Sequence, residues 1–135
     1  MHKSFLLTAA LLGAVAVMLG AFGAHRLQVI AAPRDVETFR TGVQYQVYHV
    51  FALIATGLLY EKGNKKLLSL SGYFFISGIL LFSGSLYVIT LLKVMESNTA
   101  GWLVYLTPIG GMCMIAGWCL MLFGILKSPV VKAEG

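Results

Sequence analysis

The chain has 135 residues, 59% of them hydrophobic and only 11% charged, with a mean hydropathy of +0.85. A soluble domain of this size must cover itself with charge, so the composition excludes one and indicates an integral membrane protein. The net charge of +5 comes from Lys and Arg scattered at loop ends, where membrane proteins carry them for orientation, so no nucleic-acid surface is expected.

A span needs about 20 largely apolar residues to cross a hydrocarbon core of about 30 Å. Four stretches meet that length: Phe5–Ala24, Thr41–Tyr60, a segment within Leu67–Leu92, and Pro108–Leu126. Every Lys, Arg, Asp and Glu lies outside them. The expected fold is an all-α membrane protein, one domain over residues 1–135. Its four transmembrane helices, about 5–24, 34–60, 67–92 and 108–126, form a compact bundle.

The first stretch follows Lys3 and ends near Ala21-Phe22-Gly23, which loosely resembles a secretory signal. Its apolar run exceeds the 7–15 residues or so of a signal core, so a retained helix is expected. Gly13, Ala16, Gly20 and Gly23 fall three, four and three apart, on one packing face. Pro33, followed by Asp35 and Glu37, suits the start of the second helix. The polar turn "EKGNKK" leads to the third. There Ser77 and Gly84, like Gly78 and Ser85, are seven apart and suggest another small-residue face. Trp102 and Tyr105 read as interfacial aromatics. Thr107 suits an N-cap and Pro108 a first helical position for the fourth helix, which Lys127 and Pro129 end. Cys113 and Cys119 point to different faces of that helix, so they read as small apolar residues and not as a disulfide.

With four spans, one side of the membrane holds Lys3, Lys62, Lys65, Lys66, Lys127 and Lys132, and the other holds Arg26, Arg34, Arg40 and Lys93. The bias places both termini in the cytoplasm. The three Arg then lie outside and need partners, for which Asp35 and Glu37 are the nearby candidates.

The second helix is the anomaly. "FRTGVQYQVYH" (Phe39–His49) is its most polar part, yet Val50–Leu59 alone is too short to cross. Gln44, Tyr45, Gln46, Tyr48 and His49 must therefore lie within the membrane. On a wheel at about 100° per residue, Glu37, Arg40, Thr41, Gln44, Tyr45, Tyr48 and His49 share one half, opposite Val36, Val43, Val47, Val50 and Ile54. Gln46 is the exception. Unpaired amides and imidazole are costly in hydrocarbon, so the polar face is expected to point into the bundle. Its expected partners are His25, Ser83, Ser85, Tyr87 and Thr107.

Two readings of this cluster compete. It can be an interhelical hydrogen-bond network that fixes register. It can also line a polar pocket for a lipid headgroup, a small polar ligand or a partner protein. Sharper chemistry finds little support. His25 lies at the interface and His49 about 12 Å deeper, a poor haem pair. Two His without a thiolate are thin for zinc. No carboxylate lies inside a span, and no catalytic triad or phosphate loop is apparent. No catalytic residue, metal or cofactor is expected. The expected partners are membrane lipids, and a homo-oligomer or membrane-protein partner. A small channel or transporter-like oligomer is the alternative function, and an enzyme or redox protein ranks last.

"GAFGAH" (20–25), "FRTGVQYQVYHVFAL" (39–53), "LFSGSLY" (81–87), "TPIGG" (107–111) and "GW" (117–118) resemble the transmembrane protein 256-like family, whose bacterial members include YgdD-like inner-membrane proteins. The resemblance covers most of the chain. It implies a four-helix membrane fold in bacterial and mitochondrial membranes, here expected in the bacterial cytoplasmic membrane, and it carries no established activity to transfer.

Overall fold

The computed structural model describes residues 1–96 and 101–127. Pro129 and Lys132, counted above for helix termination and charge bias, lie outside them. Among the described residues the chain is helical throughout, without strands.

Helix α1 runs Lys3–His25 and is followed by the short turn α2, Leu27–Ile30. No sequence signal marks α2. It exists because Leu27, fully buried, closes a cluster with Val36 and Phe39 at that end of the molecule. Helix α3 runs Pro33–Leu59, with Pro33 in its first turn, where its missing N–H leaves no intrahelical bond unmade. Helix α4, Lys65–Gly78, is capped by Asn64, whose side chain accepts from the Leu67 N–H at 3.2 Å. It continues through a π-helical segment, Ile79–Ser83, into α5, Gly84–Val94. A 3-10 turn, Leu103–Tyr105, opens α6, Leu106–Leu126.

Three of these helical runs are long and apolar enough to cross a membrane: Lys3–His25, Lys65–Val94 and Leu103–Leu126. Helix α3, at 27 residues, has the length, but its polar first half holds its mean hydropathy below theirs.

Helix α1 packs chiefly on α3, and α4 with the π segment packs on α6, while α3 also touches α4, the π segment and α5. The central core joins Phe5 and Ala9 of α1, Val50 and Leu53 of α3, Ile79 of the π segment and Met114 of α6. A second cluster holds Ala52, Leu68, Phe75 and Met121.

Glycine allows the closest approach. A Cβ on Gly110 would run into the backbone nitrogen of Phe82 and lie 2.8 Å from the Leu81 carbonyl carbon. Gly110 therefore lets α6 rest directly on the backbone of the π segment. On the opposite wall, a Cβ on Gly78 would sit 2.6 Å from Met114 Cγ. On α1, a Cβ placed on Gly23 would sit 3.1 Å from the Phe39 ring, whereas one on Gly13 or Gly20 would find Val50 or Val43 at an ordinary 3.6 Å.

Two expectations need correction. Gly84 is no packing glycine, since nothing lies within 4 Å of a Cβ placed there. Ser77, seven residues earlier, is exposed, so that pair shares an open face, whereas Gly78 and Ser85 both face α6. Thr107 is no N-cap either, because the helix already begins at Leu106 after the 3-10 turn. Its hydroxyl instead reaches Ser85 on α5, at 2.7 Å.

Candidate functional site

The polar residues of α3 do form a face, but the buried one is not the face the wheel suggested. Glu37, Arg40, Gln44 and Tyr48 are exposed, and they continue at spacings of three and four into exposed Phe51, with exposed Leu58 seven residues further on. This stripe looks out of the bundle. The buried side carries Val36, Phe39, Gly42, Gln46, His49, Val50 and Leu53. Gln46, the exception on the wheel, is thus the polar anchor inside. The reason is packing: Phe39, Gly42 and Leu53 fit against α1 and α5, and that side can satisfy one amide and one imidazole.

Gln46, 2% exposed, ties three helices together. Its Nε2 donates to the Leu12 carbonyl of α1 at 2.7 Å, and its Oε1 accepts from the Tyr87 hydroxyl of α5 at 2.7 Å. Tyr87 also fills the space left by Gly42, where a Cβ would meet its ring at 2.8 Å. His49, 5% exposed, is held at both nitrogens. Nδ1 faces the Tyr45 carbonyl at 2.8 Å, and Nε2 accepts from the Trp118 indole N–H at 3.2 Å. The Trp118 donor fixes the neutral tautomer with its proton on Nδ1. An imidazole engaged on both sides has no free nitrogen for a metal or for proton transfer.

Of the expected partners, only Tyr87 reaches α3. His25 is exposed at the end of α1. Ser83 is fully buried where the π segment ends. Ser85 bonds Thr107 and the Phe82 carbonyl, the latter at 2.9 Å, and so ties α5 to α6. Thr41 bonds back to the Glu37 carbonyl within its own helix, at 3.0 Å. Gln44 donates to Tyr48 one turn on. Tyr45 is 40% exposed, its ring tilted against Phe82 at 4.8 Å. Asp35 pairs with Lys93 at 2.8 Å rather than with an Arg.

Two contacts have no counterpart among the sequence expectations. Ser71, fully buried on α4, donates to the Gly117 carbonyl of α6 at 2.8 Å. Trp118 is visible in the sequence only as part of a "GW" pair, with nothing to indicate that it faces His49. A lone serine or tryptophan in an apolar run has no signature of direction until the neighbouring helix is placed.

At the N-terminal end of α3 a cleft of about 420 Å³ is lined by Gln28, Ala31, Pro33, Val36, Glu37 and Arg40. With its amide oriented to satisfy both neighbours, Gln28 donates to the Ala24 carbonyl at 3.3 Å and accepts from the Arg40 guanidinium. A second groove, about 370 Å³, lies lower between α3, the π segment and α6, lined by Tyr45, His49, Phe82, Gly111, Met114, Ile115 and Trp118.

Residues 19–111 match the family described as "protein of unknown function (DUF423)". The chain is 40% identical to the UPF0382 membrane protein of Haemophilus influenzae, over 95% of this chain and 98% of the relative. It is 35% identical to the UPF0382 inner membrane protein YgdD of Escherichia coli, covering 93% and 91%. Against the UPF0382 membrane protein YwdK of Bacillus subtilis the identity is 32%, covering 93% and 98%. No solved structure matches. A helical chain with membrane-length apolar helices and relatives of this identity along nearly its whole length belongs to the UPF0382 (DUF423) family of membrane proteins of uncharacterised function.

Proposed function

We propose that this is a non-enzymatic, four-span protein of the bacterial cytoplasmic membrane, with both termini inside, that binds a phospholipid headgroup at the outer end of α3. The pairing of α1 with α3 supports the fourth span. The His2 N–H donates to the Gly57 carbonyl at one end, and Gly23 packs on Phe39 at the other. Helix α3 therefore covers the same depth as α1, the 23-residue helix beside it. The excess of Lys on the side of the termini and the 61–66 turn supports the orientation.

The observation that carries the headgroup reading is the cleft at Arg40. It sits where α3 leaves the hydrocarbon, and it sets a guanidinium and a carboxylate, Glu37, side by side. A guanidinium pairs bidentately with phosphate, and the carboxylate complements an ammonium. The pair therefore suits a zwitterionic phosphoethanolamine better than a purely anionic group. Catalysis has less support, because His49 is committed at both nitrogens to the protein itself.

The test is lipid retention, measured by native mass spectrometry after release from nanodiscs of phosphatidylethanolamine, phosphatidylglycerol or phosphatidylcholine. Phosphatidylethanolamine is retained preferentially, and Arg40→Gln lowers that retention about tenfold or more, the scale of a lost charge-assisted bond. Equal retention by wild type and Arg40→Gln would end the proposal.

A further inference from the structure

The outward stripe of α3 poses a problem that the headgroup cleft does not solve. Gln44 and Tyr48 lie on the surface of the bundle, Tyr48 at 51% exposure. Their depth can be read from the neighbouring helix. Val43 faces Gly20 and Val50 faces Gly13, so Tyr48 lies level with the middle of α1. A headgroup does not reach that depth.

Within the chain, the hydrogen bond found for these two side chains is the one they make to each other. A glutamine amide has two N–H donors and two acceptor lone pairs, and a phenol donates as well as accepts. Among the described residues, the Gln44–Tyr48 bond therefore leaves an amide N–H, the amide oxygen and the Tyr48 proton without a protein partner. Lipid tails supply neither donor nor acceptor, so polar groups at this depth belong against protein.

We propose that a second copy of this chain covers the face, in a parallel dimer whose two-fold axis follows the membrane normal and passes near Gln44 and Tyr48. Three observations favour a second copy over another protein. Both polar groups carry donor and acceptor together, so each can bond its own symmetry mate, as a two-fold interface demands. The stripe above them holds an acid and a base one turn apart, Glu37 and Arg40, so each copy brings an opposite charge within one turn of each charge of the other. Below them the stripe turns apolar at Phe51, 64% exposed, and Leu58, 54% exposed, which extends the same contact face. Copies inserted in one orientation place each residue opposite its own counterpart. The dimer rests on α3 crossing the membrane, but not on headgroup binding.

Disulfide cross-linking in native membranes tests it. Cys113 and Cys119 are first replaced by Ala, and single cysteines are then introduced by Phe51→Cys on the stripe, Leu11→Cys on α1 and Ile115→Cys on α6. The last two positions are each 66% exposed and off the stripe. Oxidation is expected to give a dimer of this chain through Phe51→Cys and none through the other two. Adding Gln44→Leu and Tyr48→Phe to Phe51→Cys weakens dimerisation about three- to thirtyfold for each interhelical bond lost, read by diluting the protein in liposomes. Because neither side chain touches the inward network, unchanged Trp118 fluorescence shows that the fold survives. Cross-linking only through Leu11→Cys or Ile115→Cys, capture of a different protein by Phe51→Cys, or a monomer at every dilution would each overturn the proposal. Labelling of Phe51→Cys by a membrane-impermeant maleimide would instead show that α3 does not span. That result removes the four-span reading along with the dimer.

Discussion

Gly110→Ala is the sharpest perturbation of the fold, because its obstacle is backbone. The new methyl would collide with Phe82 N and lie 2.8 Å from both the Leu81 carbonyl carbon and Phe82 Cα. Carbon contacts settle at about 3.5–4.0 Å, so α6 and the π segment must part by about 1 Å. No rotamer change relieves this. The same displacement carries the 2.7 Å Ser85–Thr107 bond beyond hydrogen-bond range. Overpacking costs about 1–3 kcal/mol and the lost interhelical bond about 0.6–2 kcal/mol, so we expect a destabilisation of about 2–5 kcal/mol. Equilibrium unfolding in mixed micelles, followed by far-ultraviolet circular dichroism and Trp fluorescence, measures it. Gly111→Ala is the matched control. Its Cβ would find Phe82 Cδ2 at a comfortable 3.8 Å, and it should be neutral or slightly stabilising. Equal stability of the two variants, within about 0.5 kcal/mol, would refute the packing argument.

The Gln46–Tyr87 bond is open to a double-mutant cycle with Gln46→Leu and Tyr87→Phe. A coupling of about 0.6–2 kcal/mol is expected, and additive losses would show that the bond does not form. At the 61–66 turn, Glu61 accepts from Lys65 at 2.7 Å and pairs with the Met1 amino group at 3.2 Å. The Lys65 hydrogen bond, then that of the amino group, hold its carboxyl below the ordinary carboxylate value. Because the folded-state pKa is the depressed one, the contribution is present above the unfolded-state pKa and is lost as pH falls through the folded-state pKa. An NMR titration of Glu61 should give a midpoint below that of a free glutamate and move upward in Lys65→Met. A midpoint unmoved by that substitution would contradict the assignment.

The apolar lengths, Pro33 and the polar turn were enough to place the four main helices within a few residues of where they lie. They could not orient α3. A wheel separates two faces and leaves open which of them meets protein. The rule that polar groups turn inward pointed to Gln44 and Tyr48, whereas Phe39, Gly42 and Leu53 decided the matter by fit and carried Gln46 and His49 in with them. Gly84 shows a different limit. Small residues seven apart share a face, but the spacing does not say what meets it: Gly78 and Ser85 face α6, while exposed Ser77 and unpacked Gly84 do not. His25 and Thr107 lie at the ends of their helices on the side where α3 begins, but sharing that side did not make them partners of α3.

Two glutamines two residues apart on α3 face opposite ways, Gln46 into the bundle and Gln44 out of it, and both the inward network and the dimer face depend on that division. Comparing Gln46→Leu with Gln44→Leu by unfolding of the monomer in dilute micelles tests this most directly. We predict a loss of about 1–4 kcal/mol for Gln46→Leu, from its two interhelical bonds, and a change within about 0.5 kcal/mol for Gln44→Leu. A large loss at Gln44 with none at Gln46 would contradict this orientation of α3.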